Sequence, residues 1–177
     1  MFEGKYIEEA PSYIVTPEGE VHGLHGPVKI QRRENGSAMV YIYNDAGKLI
    51  GRSLARLVAE AFLPPSELAY ETTPIHLNLD KMDCHVENLR WRTRSFAVNY
   101  HKQINVQELV MRGGAVIKIL ETGEEITGSL RPYAMRYGLM EGSILDSSVR
   151  NSKQGIDAEY PRPLWHAGVT FVFVLPH

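Results

Sequence analysis

Turn-forming residues cut the N-terminal part of the chain into pieces too short for anything but hairpins. Tyr13-Ile14-Val15 is a β-prone run, Pro17-Glu18-Gly19 is a turn, and Val21 to Leu24 is a return strand. Together they make a hairpin with Gly19 where the backbone calls for positive φ. A second pair follows: Ala38 to Tyr43 has strand composition, Asn44-Asp45-Ala46-Gly47 is turn chemistry, and Lys48 to Arg52 continues the ribbon.

From Ser53 the apolar period changes from that of a strand to that of a helix. Leu54, Leu57, Val58, Ala61 and Phe62 recur at helical spacing, Ser53 is placed to cap, and Pro64-Pro65 stops the chain. Pro74 to Leu79 reads as a strand or extended arm, and Val86 to Leu89 begins a helical or turn-like element running toward Trp91. Gly113-Gly114 then marks a boundary, so the expected domains are 1–104 and 105–177. In the second, Ala115 to Leu120 and Glu125 to Thr127 form a hairpin around Glu121-Thr122-Gly123-Glu124. Ser129 to Tyr137, ended by Gly138, and Glu141 to Arg150 make two short helices in a helix-turn-helix pattern. Gly168 to Val174 is a strongly β-prone strand suited to pairing with that hairpin. The fold class expected is α+β: N-terminal hairpins and a small mixed core, then a hairpin and helix-turn-helix module closed by a C-terminal strand.

Composition narrows the function classes. With 44% hydrophobic and 23% charged residues in 177, the chain has material for one substantial core or two small ones. No apolar run approaches the length of a bilayer span, and MFEGKYIEEA is too acidic and polar for a secretory signal. A soluble, cytoplasmic protein is expected, in the host cytoplasm if phage-encoded, with no membrane partner. The one cysteine, Cys84, excludes an internal disulfide and a multi-cysteine zinc site, and adjacent Cys84-His85 is a weak zinc signal without a second pair. A net charge of −2 argues against binding nucleic acid by bulk basicity, so local clusters matter. These are Lys29, Arg32 and Arg33, and Arg90, Arg92 and Arg94 followed by His101 and Lys102.

Four stretches in one order carry a resemblance. YIVTPEGEVHGL (Tyr13 to Leu24) resembles the modular DNA-binding segment that precedes HNH cores in phage and intron-encoded homing endonucleases, and LARLVAEAFLPP (Leu54 to Pro65) is similar to the segment that follows it. IHLNLDKMDCHVENLRWRT (Ile75 to Thr93) looks like the HNH, or ββα-metal, core, with Asn88-Leu89-Arg90-Trp91 its most specific piece. VIKILETGEEITGS through the two short helices to GVTFVF resembles the nuclease-associated helix-turn-helix repeat at the tail of the same enzymes.

The resemblance implies a site that can be checked residue by residue. In such enzymes a divalent ion stabilises the leaving oxygen while a neutral histidine takes a proton from the attacking water. His76 matches the general base and Asn88, twelve positions on, the asparagine that orients its ring. The two metal-ligand positions fall on Ile75 and Ala97, and neither a branched hydrocarbon nor a methyl group coordinates a hard cation. The family histidine before RLVAEAF is replaced by Ala55, and the paired asparagines of the core by Asp83 and Cys84. Asn78, Asp80, Asp83, His85 and Asn99 are nearby oxygen or nitrogen donors that a shifted register would have to recruit. A hydrogen-bonded His76–Asn88 pair beside Trp91 also has a purely structural use in a domain short of core. No cofactor is expected, and Mg²⁺ or Mn²⁺ only if cleavage persists.

The recognition parts are better kept. The second short helix of the tail module, Gly142 to Arg150, is the expected reader, with Ser143, Asp146, Ser147 and Arg150 toward a groove and Asn151, Ser152 and Lys153 near phosphates. Arg32, Arg33, Arg90, Arg92 and Arg94 are expected positioning contacts. The leading expectation is a double-stranded DNA-binding protein with cleavage lost. Its rivals are an active metal-dependent endonuclease or nickase using His76, and a repurposed phage protein that binds and inhibits a host or viral protein.

Overall fold

The computed structural model describes residues 3–152, 162–164 and 167–174. The chain divides into two compact units, residues 1–101 and 102–177.

The first unit opens with β1 (Lys5–Ile7), β2 (Ala10–Val15), β3 (Val21–Gly23) and β4 (Gly26–Pro27), hydrogen-bonded in that order. A second sheet joins β5 (Gln31–Arg32), β6 (Ala38–Tyr43) and β7 (Leu49–Ser53). Both expected hairpins are present, and each has gained two-to-three-residue edge strands whose pairing depends on the neighbouring strand rather than on their own sequence. On β6 the alternation is clear: Ala38, Val40 and Ile42 are buried while Tyr41 and Tyr43 face out. Helix α1 (Leu54–Phe62) starts after Ser53, whose backbone is extended as a capping residue's should be, although its hydroxyl makes no capping bond. Leu54, Leu57 and Val58 pack with Val40, Ile42 and Leu89, each large aliphatic side chain contributing about 1.5–3 kcal/mol by its burial.

The small motif that follows consists of β8 (Thr73–His76), β9 (Leu89–Arg92) and α2 (Arg94–Lys102). The strands are antiparallel, pairing Thr73 with Arg92, Ile75 with Arg90 and His76 with Leu89. The expected helical run toward Trp91 is confined to a single 3₁₀ turn, Val86–Asn88, and the chain continues as strand. The first hairpin's turn braces this motif. Gly19, at φ +83°, lies so close that an added Cβ would stand 3.0 Å from the Cys84 carbonyl oxygen, and Val86 N–H donates to the Pro17 oxygen at 2.8 Å.

The second unit contains β10 (Val116–Ile119), β11 (Glu125–Ile126), α3 (Arg131–Tyr137), α4 (Glu141–Ser152) and β12 (Phe171–Val174). Its sheet order is β11-β10-β12, and the C-terminal strand pairs antiparallel with β10. Gly138 ends α3 in the left-handed conformation, φ +61°, and its N–H caps the helix through Ala134 and Met135. Ile117, Ile119, Leu130, Leu139, Ile144 and Phe171 form the core. Under it, the 95%-buried Glu141 carboxylate accepts from Leu109 N–H at 2.6 Å and from Arg131 Nε at 2.7 Å.

Candidate functional site

The β8–β9–α2 motif carries His76 at the end of β8, 5% exposed, with its ring enclosed on two sides. His76 Nδ1 lies 3.3 Å from His101 Nε2 on α2, and the His76 main-chain N–H donates to the same nitrogen at 3.3 Å. On the other side Cys84 Sγ is 3.7 Å from His76 Nε2. His101 Nδ1 in turn lies 2.9 Å from the Ala97 carbonyl oxygen, one helical turn back. Burial, reinforced by the neighbouring His101, pulls His76 down to about 4, so the ring is neutral at pH 7. Burial pushes the Cys84 thiol up to about 12, with Asp83 and Asp80 adding to the effect, so it stays a thiol. Tyr100, fully buried, donates its hydroxyl to the Leu77 oxygen at 2.7 Å and fixes α2 to the strand exit.

The Asn88 side chain hydrogen-bonds the loop rather than the imidazole. It closes the loop between the strands: Oδ1 accepts from Asn78 N–H at 2.9 Å, and Nδ2 donates to Asn78 Oδ1 at 2.9 Å and to the Asp83 oxygen at 2.8 Å. Asn78 Nδ2 then donates to Asp83 Oδ2 at 2.7 Å, and the Asp80 side chain accepts from Met82 N–H. These amide and carboxylate groups are occupied in holding a tight loop, in which Leu79 adopts φ +66°.

The two positions that the resemblance marks for metal ligands do not fit a divalent ion. Ile75 is completely buried and Ala97 is 5% exposed, and neither carries a donor atom. Among the described residues no group of three or more His, Cys, Asp or Glu side chains is placed to hold a metal. The donors nearest the imidazole, Cys84 and His101, face opposite ring nitrogens and do not converge on one point.

Of the expected DNA contacts, Arg32, Arg33, Arg90 and Arg94 are exposed. Arg32 and Lys81 flank Gly36, and Arg32, Arg33, Asn35, Met39 and Tyr41 contribute to the lining of a surface hollow of about 570 Å³. Arg92 is different: it is 7% exposed, donates to the Trp91 oxygen at 2.8 Å and lies 5.7 Å from the Phe96 ring centre. Burial lowers its pKa, with Glu71 opposing that effect, so the guanidinium is not on the exposed surface with the other arginines.

On α4 the expectation for Ser147 is corrected. It shares the inner face with Ile144 and Ser148 and is 4% exposed, because position 147 follows Ile144 by one helical turn. The outward stripe is Gly142, Asp146 and Arg150, with Ser143 half-buried beside it. Asn151 donates to the Phe171 and Arg162 oxygens, and Ser152 to the Phe173 oxygen, so both hold β12 rather than face solvent. Lys153 lies outside the described residues. Sequence reasoning missed the part played by His101; its four-residue spacing from Ala97 on one helix face was the available signal.

An antiparallel strand pair, an intervening loop tied by asparagines and a following helix that closes over a histidine define the ββα arrangement of HNH-type proteins. Over 99% of this chain and 100% of the other, the fold matches the solved structure titled DNA binding and cleavage by the HNH homing endonuclease I-HmuI, with a TM-score of 0.51 and 20% sequence identity. The chain is also similar to an uncharacterised HNH endonuclease of Acanthamoeba polyphaga mimivirus, 28% identical over 152 residues that cover 84% of this chain. It spans 38% of that relative's length. No protein-family model matches. The fold is that of an HNH homing endonuclease. Among the described residues no helix is long and apolar enough to cross a membrane.

Proposed function

We propose that this chain is a DNA-binding protein derived from an HNH homing endonuclease, with cleavage lost. The observation that carries the reading is the pair of hydrocarbons at the two expected ligand positions, Ile75 at 0% and Ala97 at 5% exposure, beside an imidazole that is itself enclosed. Without the ion, several kcal/mol of transition-state stabilisation are gone. Double-stranded DNA is the partner, held through its backbone by Arg32, Arg33, Arg90 and Arg94 in an HNH-like domain of residues 1–104. A helix-turn-helix module of residues 105–177 adds a second contact through Ser143, Arg150 and Lys153. The exposure of the four arginines in the first unit supports these assignments. Its place of action is cytoplasmic.

The test has two arms. In an anisotropy titration of duplex DNA at several salt concentrations, affinity should fall steeply as salt rises; absence of salt-sensitive binding to any duplex would instead favour a protein partner. In the second arm, supercoiled plasmid is incubated with Mg²⁺ or Mn²⁺ and should remain intact. Nicking that His76→Ala abolishes would overturn the loss of cleavage and make His76 an active general base.

A further inference from the structure

We propose that His101 and Cys84 form a lock on the imidazole of His76, engaging both of its ring nitrogens and converting the ancestral general base into a packed structural group. The proton positions follow from the neighbours. The Ala97 carbonyl can only accept, so His101 Nδ1, 2.9 Å away, carries the proton. In a neutral ring His101 Nε2 then holds a lone pair, and it accepts from the His76 main-chain N–H at 3.3 Å. Two lone pairs do not bond to each other, so His76 Nδ1, also 3.3 Å from that nitrogen, must be the donor. The lone pair left to His76 is on Nε2, and what faces it is the buried Cys84 thiol at 3.7 Å, whose S–H is the matching donor.

The result is a one-way chain of donors: Cys84 thiol to His76, His76 to His101, His101 to the Ala97 oxygen. A general base needs an unshared pair aimed at a water. Here that pair is aimed at a thiol inside the protein, on a side chain that is 5% exposed. The lock is thus a barrier to catalysis separate from the missing ligands, and supplying oxygen donors at positions 75 and 97 would leave it closed. His101 reaches His76 because it lies one turn beyond Ala97 on the same face of α2, so the helix that in the family supplies the second ligand supplies the bolt here.

The inference rests on the functional reading above only for the name of general base; its test reads proton positions and is blind to DNA. The full chain is labelled with ¹⁵N-histidine and long-range ¹H–¹⁵N correlations are recorded at pH 7. His76 and His101 should both show Nδ1 protonated and Nε2 unprotonated, with no averaging between tautomers. Cys84→Ala should shift the His76 Nε2 resonance further toward the free-lone-pair position and leave that of His101 in place. A His76 ring protonated at Nε2, or exchanging between tautomers, would overturn the lock, and the wild-type spectrum decides this even if the variant fails to fold. A chain that failed to bind DNA would sink the functional reading and leave this result standing.

Discussion

Acidification should unfasten the first unit through His76, by an amount the structure fixes. The unfolded side chain titrates near 6.5, and burial beside His101 lowers the folded value to about 4. Because the folded state resists the proton, His76 contributes its full share of stability above pH 6.5. That share is lost as pH falls from 6.5 toward 4, below which both states are protonated and the loss stops. A span of about 2.5 in pH at about 1.4 kcal/mol per pH unit gives about 3 kcal/mol in all, of which about 2 kcal/mol is gone by pH 5. His101, lowered chiefly by its own burial, acts in the same direction. The assay is urea unfolding at pH 7 and pH 5, followed by amide resonances of residues in the first unit, for the wild type and for His76→Gln. The variant retains the other titrating groups, so the wild type should lose about 2 kcal/mol more than the variant between the two pH values. An equal loss in both would refute the reasoning, since it would mean that His76 accepts a proton in the folded protein as readily as in the unfolded one.

Other outcomes follow from single contacts. Glu141→Ala removes the acceptor of Arg131 Nε and Leu109 N–H and should destabilise the second unit by about 3–5 kcal/mol, read by thermal unfolding. Gly19→Ala places a Cβ 3.0 Å from the Cys84 oxygen at φ +83° and should cost about 1–3 kcal/mol in the first unit, measured by urea unfolding. Arg32→Ala and Arg33→Ala should each reduce the salt dependence of DNA binding by about one phosphate contact, measured as the slope of log affinity against log salt. Ser147→Ala should leave that slope and the affinity unchanged, because the hydroxyl is buried.

Local chemistry made much of the fold legible, and the parts that were not legible share a physical cause. The turns at Pro17-Glu18-Gly19 and Asn44 to Gly47, the helix between Ser53 and Pro64, and the left-handed stop at Gly138 are each decided by a few adjacent residues. Strand β9 was hidden because its burial does not alternate: Leu89 and Arg92, three residues apart, are buried, Arg90 is exposed and Trp91 half-buried, and a buried guanidinium reads in sequence as surface. Helix α2 was hidden because RSFAVNYHK buries only Ala97 and Tyr100 and shows little apolar stripe. The candidate site was legible only in part. That Ile75 and Ala97 fall on the ligand positions came from the resemblance, but Asn88 bonds the loop instead of the ring, and only three-dimensional packing brings His101 and Cys84 to His76.

On the reading proposed above, a histidine pair stands where the family has an ion, and the packing around it opposes a return to cleavage. An ion held by residues at positions 75 and 97, the two that the resemblance implies, would join the first strand of the motif to its helix. Here the same two elements are joined by His76 to His101 and by the Tyr100 hydroxyl to the Leu77 oxygen, and Ile75 on the strand is fully buried. A carboxylate introduced at position 75 would place a charge at a site with no exposure, where the unfavourable burial of the ion-free state precedes any gain from metal. On that reading, each substitution toward a metal site costs stability before it returns activity, and the apolar and histidine contacts hold the proposed loss in place.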